Sequence, residues 1–502
     1  MIRNAGLHPR FTLSDSTPAP RRSPVKSAIV ALITFALTPL VLAESNWPQF
    51  RGSEGLAIAT DGTDTPAEFG PDKNVVWKTP LASGHSSPVL WGGRIFLTTF
   101  DGGKLFAVSL DRDSGHIVWS KEVVVEKIEQ VHRISSPAAA TPCSDGERVY
   151  FHFGSFGLLA FDFDGNEVWR LPLPLPVNEF GSGGSPILVD GKVVLLRDQD
   201  VGSFLLAVDA KSGRQLWRTE RPGFFRGHST PFLWRHDGIG EIVITGAVRL
   251  MSYDPKTGRE LWSTTGLSRV ANATATAGDG LLFASSWNIG ADASGRLELP
   301  PFDEFAKAND RNADLQLSIE EFPSGGLRDR FTQLDADKDG QVTHAEWEAY
   351  APVIAKAENA LFAVRPGGRG DITATHVAWK KTRGLPYVPS PLFYEGRIYT
   401  IKSGGMASCF NGRTGEEFWL EQRVGIFGDF YASPVAAAGK VYIAGQNGTV
   451  AVLAAGNEFN VLAKNDLGEL IFATPAIADG KIYVRTAGQL YCFGRSTKTR
   501  AD

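Results

Sequence analysis

From residue 74 onward the chain alternates short apolar runs with polar, glycine-bearing turns. Runs such as RIFLTTF, KVVLLRD, RIYTIKS and KIYVRTA follow turns like Trp91-Gly92-Gly93 and Asp190-Gly191-Lys192, the pattern of strands joined by tight turns. Each set is introduced by Ser or Thr followed by Pro, at Ser87-Pro88, Ser136-Pro137, Ser185-Pro186, Thr230-Pro231, Ser390-Pro391, Ser433-Pro434 and Thr474-Pro475, with Thr274-Ala275 in phase. A third run, as in LFAVSLD, LLAFDFD, LLAVDAK, LMSYDPK and MASCFNG, leads to a tryptophan at Trp119, Trp169, Trp217, Trp262 or Trp419. A glycine stands four residues before each, at Gly115, Gly165, Gly213, Gly258 and Gly415. That spacing predicts a hairpin turn whose glycine takes positive φ, followed by a strand ending its apolar face in an aromatic.

Successive Ser/Thr positions lie 49, 49, 45, 44, 116, 43 and 41 residues apart, so the series counts eight units with an insertion of about 70 residues in the fifth. Four-stranded units of this length cannot bury both faces alone and must stack around an axis, which predicts an all-β, eight-bladed β-propeller. The eighth unit supplies three strands. Its fourth is expected from NVVWKTPL, residues 74–81, whose Trp77 matches the repeated tryptophan, so the N-terminal strand closes the ring and removes two open edges. The Ser/Thr-Pro strand is expected innermost, where one edge faces the channel and proline costs no ladder bond. The tryptophans read as packing between blades, and the Ser/Thr hydroxyls as partners of neighbouring backbone.

Glycine, 54 of 502 residues, supports many tight turns, and 43% hydrophobic against 21% charged residues fits a folded globular chain. The net charge of −4 gives no footprint for a phosphate backbone, so nucleic acid is excluded as an expected partner. Residues 21–43 carry a basic start, an apolar core SAIVALITFALTPLVLA, and small residues Val41 and Ala43 before Glu44, the pattern of a signal peptide cleaved after 43. A periplasmic or secreted location follows, with no transmembrane segment after cleavage. The expected mature chain has 46 basic and 54 acidic residues, a balance of −8. Three widely separated cysteines, Cys143, Cys409 and Cys492, predict a fold standing on burial rather than on disulfides.

The repeats AVDAKSGRQLW, SYDPKTGRELW and CFNGRTGEEFW resemble the PQQ-like (quinoprotein-type) propeller repeat family, over about residues 74–494 outside the insertion. The lead-in Trp47-Pro48-Gln49-Phe50-Arg51-Gly52 is similar to the opening of exported bacterial proteins of this type. The resemblance implies the propeller fold. For function it implies either a quinone-dependent dehydrogenase or a binding and assembly propeller without a cofactor.

Residues 288–358 switch to a helical period. Within them Asp335-Ala336-Asp337-Lys338-Asp339-Gly340-Gln341-Val342-Thr343-His344-Ala345-Glu346 fits an EF-hand calcium loop. Calcium takes six to eight oxygens, so Asp335, Asp337, Asp339 and Glu346 supply carboxylates, Gln341 its carbonyl, and Thr343 a hydroxyl or bridging water. A second frame, Asp310, Asn312, Asp314, Gln316, Ser318 and Glu321, puts Leu315 where glycine belongs and predicts a weaker first site with Leu317 beside Val342. Helices are expected near 302–309, 327–334 and 345–357. The insertion holds 15 acidic and 7 basic residues.

The chain therefore divides into a signal peptide (1–43), a lead-in (44–73), propeller segments 74–287 and 359–494 around an EF-hand pair (288–358), and a tail (495–502). Segments entering the innermost strands carry His85, His132, Arg133, Glu179, Arg226, His228, Arg269, Asn272, Tyr387, Asp429 and Tyr431, expected to gather at the channel mouth beside the insertion. Such a ring suits a small polar ligand or a protein partner. The expected role is a calcium-carrying binding or scaffolding module. The alternative is a PQQ-dependent dehydrogenase oxidising an alcohol or sugar, with Asp429 or Glu179 as base; no adjacent cysteine pair and no CxxCH haem motif accompany it. Arg369-Gly370-Asp371 reads as a hairpin turn.

Overall fold

The computed structural model describes residues 45–60, 62–289, 291, 299–325 and 327–495. The expected signal peptide and nearly all of the tail lie outside them. Eight sheets, each with four antiparallel strands, form the blades of a β-propeller; six take those four strands consecutively from the chain, and the fifth is interrupted by the insertion. The eighth takes Val75–Pro80 as its outer strand, paired antiparallel with Gln489–Phe493, so the ring closes as the repeat predicts. Among the described residues no helix is long and apolar enough to cross a membrane.

Central strands buried on both faces and half-exposed outer strands make the blades. In Arg148–Phe153 and Gly157–Asp162 the central strands are buried on both faces, while outer strands such as Glu167–Pro172 bury little besides the tryptophan. That tryptophan docks on the next blade. The Nε1–H groups of Trp77, Trp119, Trp169, Trp217 and Trp379 donate to the carbonyls of Arg112, Phe163, Ala210, Pro255 and Gly412. The glycines four residues before the repeated tryptophans all have positive φ, from 69° to 82°. A Cβ at Gly213 would sit 2.6 Å from the ring of Trp169, so these glycines serve the turn and the ring's approach together.

A belt of hydroxyls lines the channel. The backbone N–H of Ser87 donates to Thr141 Oγ1, that of Thr141 to Ser185 Oγ, and the series continues through Thr230, Thr274, Ser390 and Ser433 to Thr474, at 2.9–3.2 Å. The second member corrects the sequence expectation: Thr141-Pro142 holds the place assigned to Ser136-Pro137. Ser136 Oγ instead accepts from Ala138 N–H inside the longer loop entering blade two. At the seam between blades eight and one, buried Arg485 donates to Ser86 O, Ser86 Oγ, Thr98 O and Ala82 O.

The lead-in crosses one end of the channel. Trp47 exchanges backbone bonds with Leu90 of blade one, Arg51 donates to Ala275 O and Pro391 O of blades five and six, and Ala57 and Ala59 bond Ala436 of blade seven. Phe50 thereby forms the floor of the central cavity.

The insertion leaves blade five between Leu281–Ser286 and Ala360–Val364. It contains helices α1 (Phe302–Asn309), α2 (Phe331–Leu334) and α3 (His344–Lys356), packed over Phe305, Phe322 and Trp347. Strands Gln316–Ser318 and Gln341–Thr343 pair with Leu317 opposite Val342. After the first loop the chain makes only a 3-10 turn, Ile319–Glu321. Arg369-Gly370-Asp371 is more than a hairpin turn: Gly370–Asp371 adds a parallel fifth strand to blade four, and Arg369 reaches the buried Glu241.

Candidate binding site

The predicted mouth residues divide among three neighbouring cavities. His85, His228, Asn272, Tyr387 and Tyr431 line the central one, about 200 Å³, above the hydroxyl belt. His132 and Arg133 line a side cavity of about 550 Å³, which also touches His85. Glu179, Arg226 and Arg269 line a third, about 320 Å³, between the mouth and the insertion, with Tyr387 shared between it and the central cavity. Asp429 lines none of these. One ring was expected; the blades' differing loop lengths make three recesses.

Among the described residues no lysine or arginine lines the central cavity. Burial pushes His85 and His228 down to about 4, so both are neutral at pH 7, with the charges of Arg485 and Arg226 adding to the effect. His85 stacks on Phe472 at 4.1 Å, and Phe180 stands edge-on to His228 at 6.0 Å. Burial raises the hydroxyls of Tyr387 and Tyr431 above the usual tyrosine value. The lining thus offers neutral hydroxyls, imidazoles and an amide against aromatic walls.

In the third cavity Arg226 pairs with two carboxylates. Arg226 binds Asp200 through Nε (2.8 Å) and Nη2 (2.9 Å), and Glu179 through Nη1 (2.5 Å). Arg269 Nη1 and the Tyr350 hydroxyl both donate to Gln333 Oε1 at 2.6 Å. Gln333 and Tyr350 belong to α2 and α3, so the insertion forms one wall.

The second insertion loop gathers carboxylates. Ligand atoms of Asp335, Asp337 and Glu346 lie within 4.8 Å of one another, the one such acidic, histidine or cysteine cluster among the described residues. Glu346 closes the loop, accepting from Ala336 N–H (2.9 Å), Thr343 N–H (2.8 Å) and Thr343 Oγ1 (2.8 Å). Asp339 Oδ1 accepts from Gln341 N–H, and Asp335 Oδ2 from Gly340 N–H. Asp335 Oδ1 is buried with no hydrogen-bond partner, an orphaned acceptor suited to a hard cation. Burial, then the charges of Glu346 and Asp339, raises the Asp335 carboxyl. In the first loop Glu321 accepts from Arg311 N–H and Ser318, Asp310 from Ala313 and Leu315, while Asn312 donates to Asp314. Gln316 is exposed there, and Leu315 holds φ +62°.

Sequence reasoning missed Phe50, Phe180, Phe225, Trp287, Tyr350 and Phe472 as cavity residues. Isolated aromatics in an apolar pattern read as core, and the pairing with histidine distinguishes only Phe180 and Phe472. The three cysteines are free and buried; burial pushes Cys409 and Cys492 up to about 12, leaving them inert as nucleophiles.

A relative from Nitrosomonas eutropha, an outer membrane protein assembly factor BamB, is 25% identical over 243 residues, 46% of this chain and 49% of the relative. The chain thus matches about half the relative's length. The crystal structure of BamB from Moraxella catarrhalis superposes with TM-score 0.53 at 13% identity, covering 84% of this chain and 99% of that one. The computationally designed Ika8 protein does so with TM-score 0.52 at 10% identity, covering 86% and 99%. At these identities the two structures establish likeness of fold alone. The family profile described as outer membrane protein assembly factor BamB, a PQQ-like repeat profile, matches residues 46–180, 158–286 and 369–501, and the chain belongs to that family.

Proposed function

We propose that the protein is an exported binding or scaffolding propeller, working on the periplasmic or secreted side with a protein or small polar ligand at its mouth. One observation carries this reading: the central cavity is floored by the lead-in and, among the described residues, walled by neutral groups alone. PQQ is a quinone bearing three carboxylic acid groups, and such an anion needs cations that this lining does not offer. Neither proposed base suits the alternative, since Asp429 lies off the cavity and Glu179 is paired with Arg226.

The same reading assigns calcium to the insertion. Asp335, Asp337, Asp339, Thr343, Glu346 and the Gln341 carbonyl supply the oxygens of the second loop, supported by the orphaned Asp335 Oδ1. Asp310, Asn312, Asp314, Gln316, Ser318 and Glu321 form the weaker first site. Affinities of about 10⁻⁴ to 10⁻³ M suit an extracellular module.

Incubating the chain with calcium and PQQ, desalting it, then recording quinone absorbance and dye-linked alcohol oxidation tests the assignment. A binding module retains no quinone and turns over no alcohol; retained absorbance with turnover would establish the dehydrogenase. Calorimetric titration with calcium tests the metal separately.

A further inference from the structure

The cavity between the mouth and the insertion combines two surfaces that together define a ligand class. Phe180, Phe225, Trp287, Tyr350 and Tyr387 line it, from the propeller and the insertion alike. Trp287 and Tyr387 stand nearly perpendicular with centroids 5.8 Å apart, as do Phe225 and Tyr350 at 5.4 Å, so the walls present ring faces in more than one plane. Tyr387 is 38% exposed and stands at the entrance.

Between the rings lie planar polar groups whose charges already cancel. Arg226 pairs with both carboxylates, Glu179 and Asp200, while Arg269 bonds to the Gln333 amide, so two cations and two anions line the cavity. An anionic ligand would have to compete with Asp200 for the doubly bonded face of Arg226 and with Gln333 for Arg269, and a cation would face both guanidiniums. Glu179 gives only Oε2 to Arg226 and its side chain is 50% exposed, so Oε1 is placed to accept a hydroxyl. Gln333 accepts from Arg269 and Tyr350 through Oε1, and its amide nitrogen remains a donor.

Aromatic faces beside hydrogen-bonding groups of no net charge match a pyranose ring, whose C–H faces stack on aromatics while its equatorial hydroxyls bond in the ring plane. The volume, about 320 Å³, falls at the lower end of the roughly 300–1,000 Å³ of ligand pockets. Phe180, Val270 and Tyr387 are shared with the central cavity, so a linked second unit can continue toward Asn272, whose Oδ1 has no protein donor.

We propose that this cavity binds a neutral oligosaccharide, with Tyr387 and Trp287 as stacking platforms and Glu179 and Gln333 as hydroxyl partners. The inference rests on the binding-module reading. The purified full chain is titrated calorimetrically with cellotetraose, xylotetraose and mannotetraose, and with tetragalacturonate and chitosan tetramer as anionic and cationic comparisons. At least one neutral sugar is expected to bind, with affinity falling about tenfold or more in Tyr387→Ala and Gln333→Ala. Trp287→Phe, which keeps a ring, is expected to lose the tryptophan fluorescence change while retaining part of the affinity. Binding of no neutral sugar, binding of the charged ones alone, or affinity unchanged in Tyr387→Ala and Gln333→Ala overturns the proposal. PQQ-dependent oxidation of a bound sugar would instead overturn the binding-module reading and leave the site in place.

Discussion

The displacement of the channel belt from Ser136 to Thr141 has a measurable consequence. Thr141 is 2% exposed, and its Oγ1 accepts the Ser87 N–H of blade one at 2.9 Å. Valine has nearly the same shape but no acceptor, so Thr141→Val leaves a buried N–H unpaired, at a cost of about 1–3 kcal/mol. Ser136 bonds only within its own loop, to Ala138 N–H at 3.1 Å, so Ser136→Ala should cost about 0.5–1 kcal/mol. With an unfolding entropy near 2.1 cal/mol/K per residue over roughly 450 residues, 1 kcal/mol lowers Tm by about 1 °C if the propeller melts as one unit. Calorimetry therefore expects a drop of about 1–3 °C for the first variant and about 1 °C or less for the second. Hydrogen exchange gives a sharper test, since the Ser87 amide should lose protection in Thr141→Val and keep it in Ser136→Ala. Equal or reversed costs, or unchanged Ser87 protection in Thr141→Val, would refute the belt assignment.

Gly213→Ala adds a Cβ 2.6 Å from Trp169 at φ +69°, whereas Gly191→Ala, at φ +73°, meets nothing within 4 Å. The first should cost about 2–5 kcal/mol and the second about 1–2 kcal/mol, read by comparing the two melting curves. Burial raises Glu129 to about 7, so its stabilising contribution is complete below its ordinary value of 4.5 and is lost as pH rises through about 7. Glu129→Gln should therefore stabilise the protein at pH 8 by up to about 3 kcal/mol and change little at pH 4, in denaturant titrations at both pH values. Burial, with Arg197 nearby, depresses His152 to about 3, so its contribution is complete above 6.5 and disappears as pH falls through about 3; His152→Gln should flatten acid unfolding in that range. On the proposed calcium reading, Leu315→Gly relieves a branched side chain at φ +62° and should tighten calcium at the first loop about fivefold, measured calorimetrically in a Glu346→Gln background.

What the sequence made legible is what the fold repeats. Trp77, Trp119, Trp169, Trp217 and Trp379 each meet the glycine turn of the following blade, so one contact is written several times at a fixed spacing, and the spacing exposes both the blade count and the closing strand Val75–Pro80. The insertion was legible for a different reason: a loop of carboxylates must alternate with turn residues, and Leu317 and Val342 must face each other for two loops to pair. Contacts made once left no such trace. Two Ser/Thr-Pro pairs stand five residues apart in blade two, and only the partner N–H of Ser87 distinguishes them. The lead-in touches six blades through different backbone and side-chain hydrogen bonds, a path no local pattern records, yet it decides that the channel has a floor at Phe50. The segments entering the inner strands converge by topology, which brings all the expected mouth residues but Asp429 to the three cavities, while their division depends on loop length. Glu179 illustrates the limit: its polarity suggested a base, and only the position of Arg226, 47 residues further on, turns it into a paired wall of a neutral pocket. A propeller's sequence thus specifies the scaffold redundantly and its binding chemistry once, so the recess beside α3 is where a change of one or two side chains would alter ligand choice without disturbing the ring.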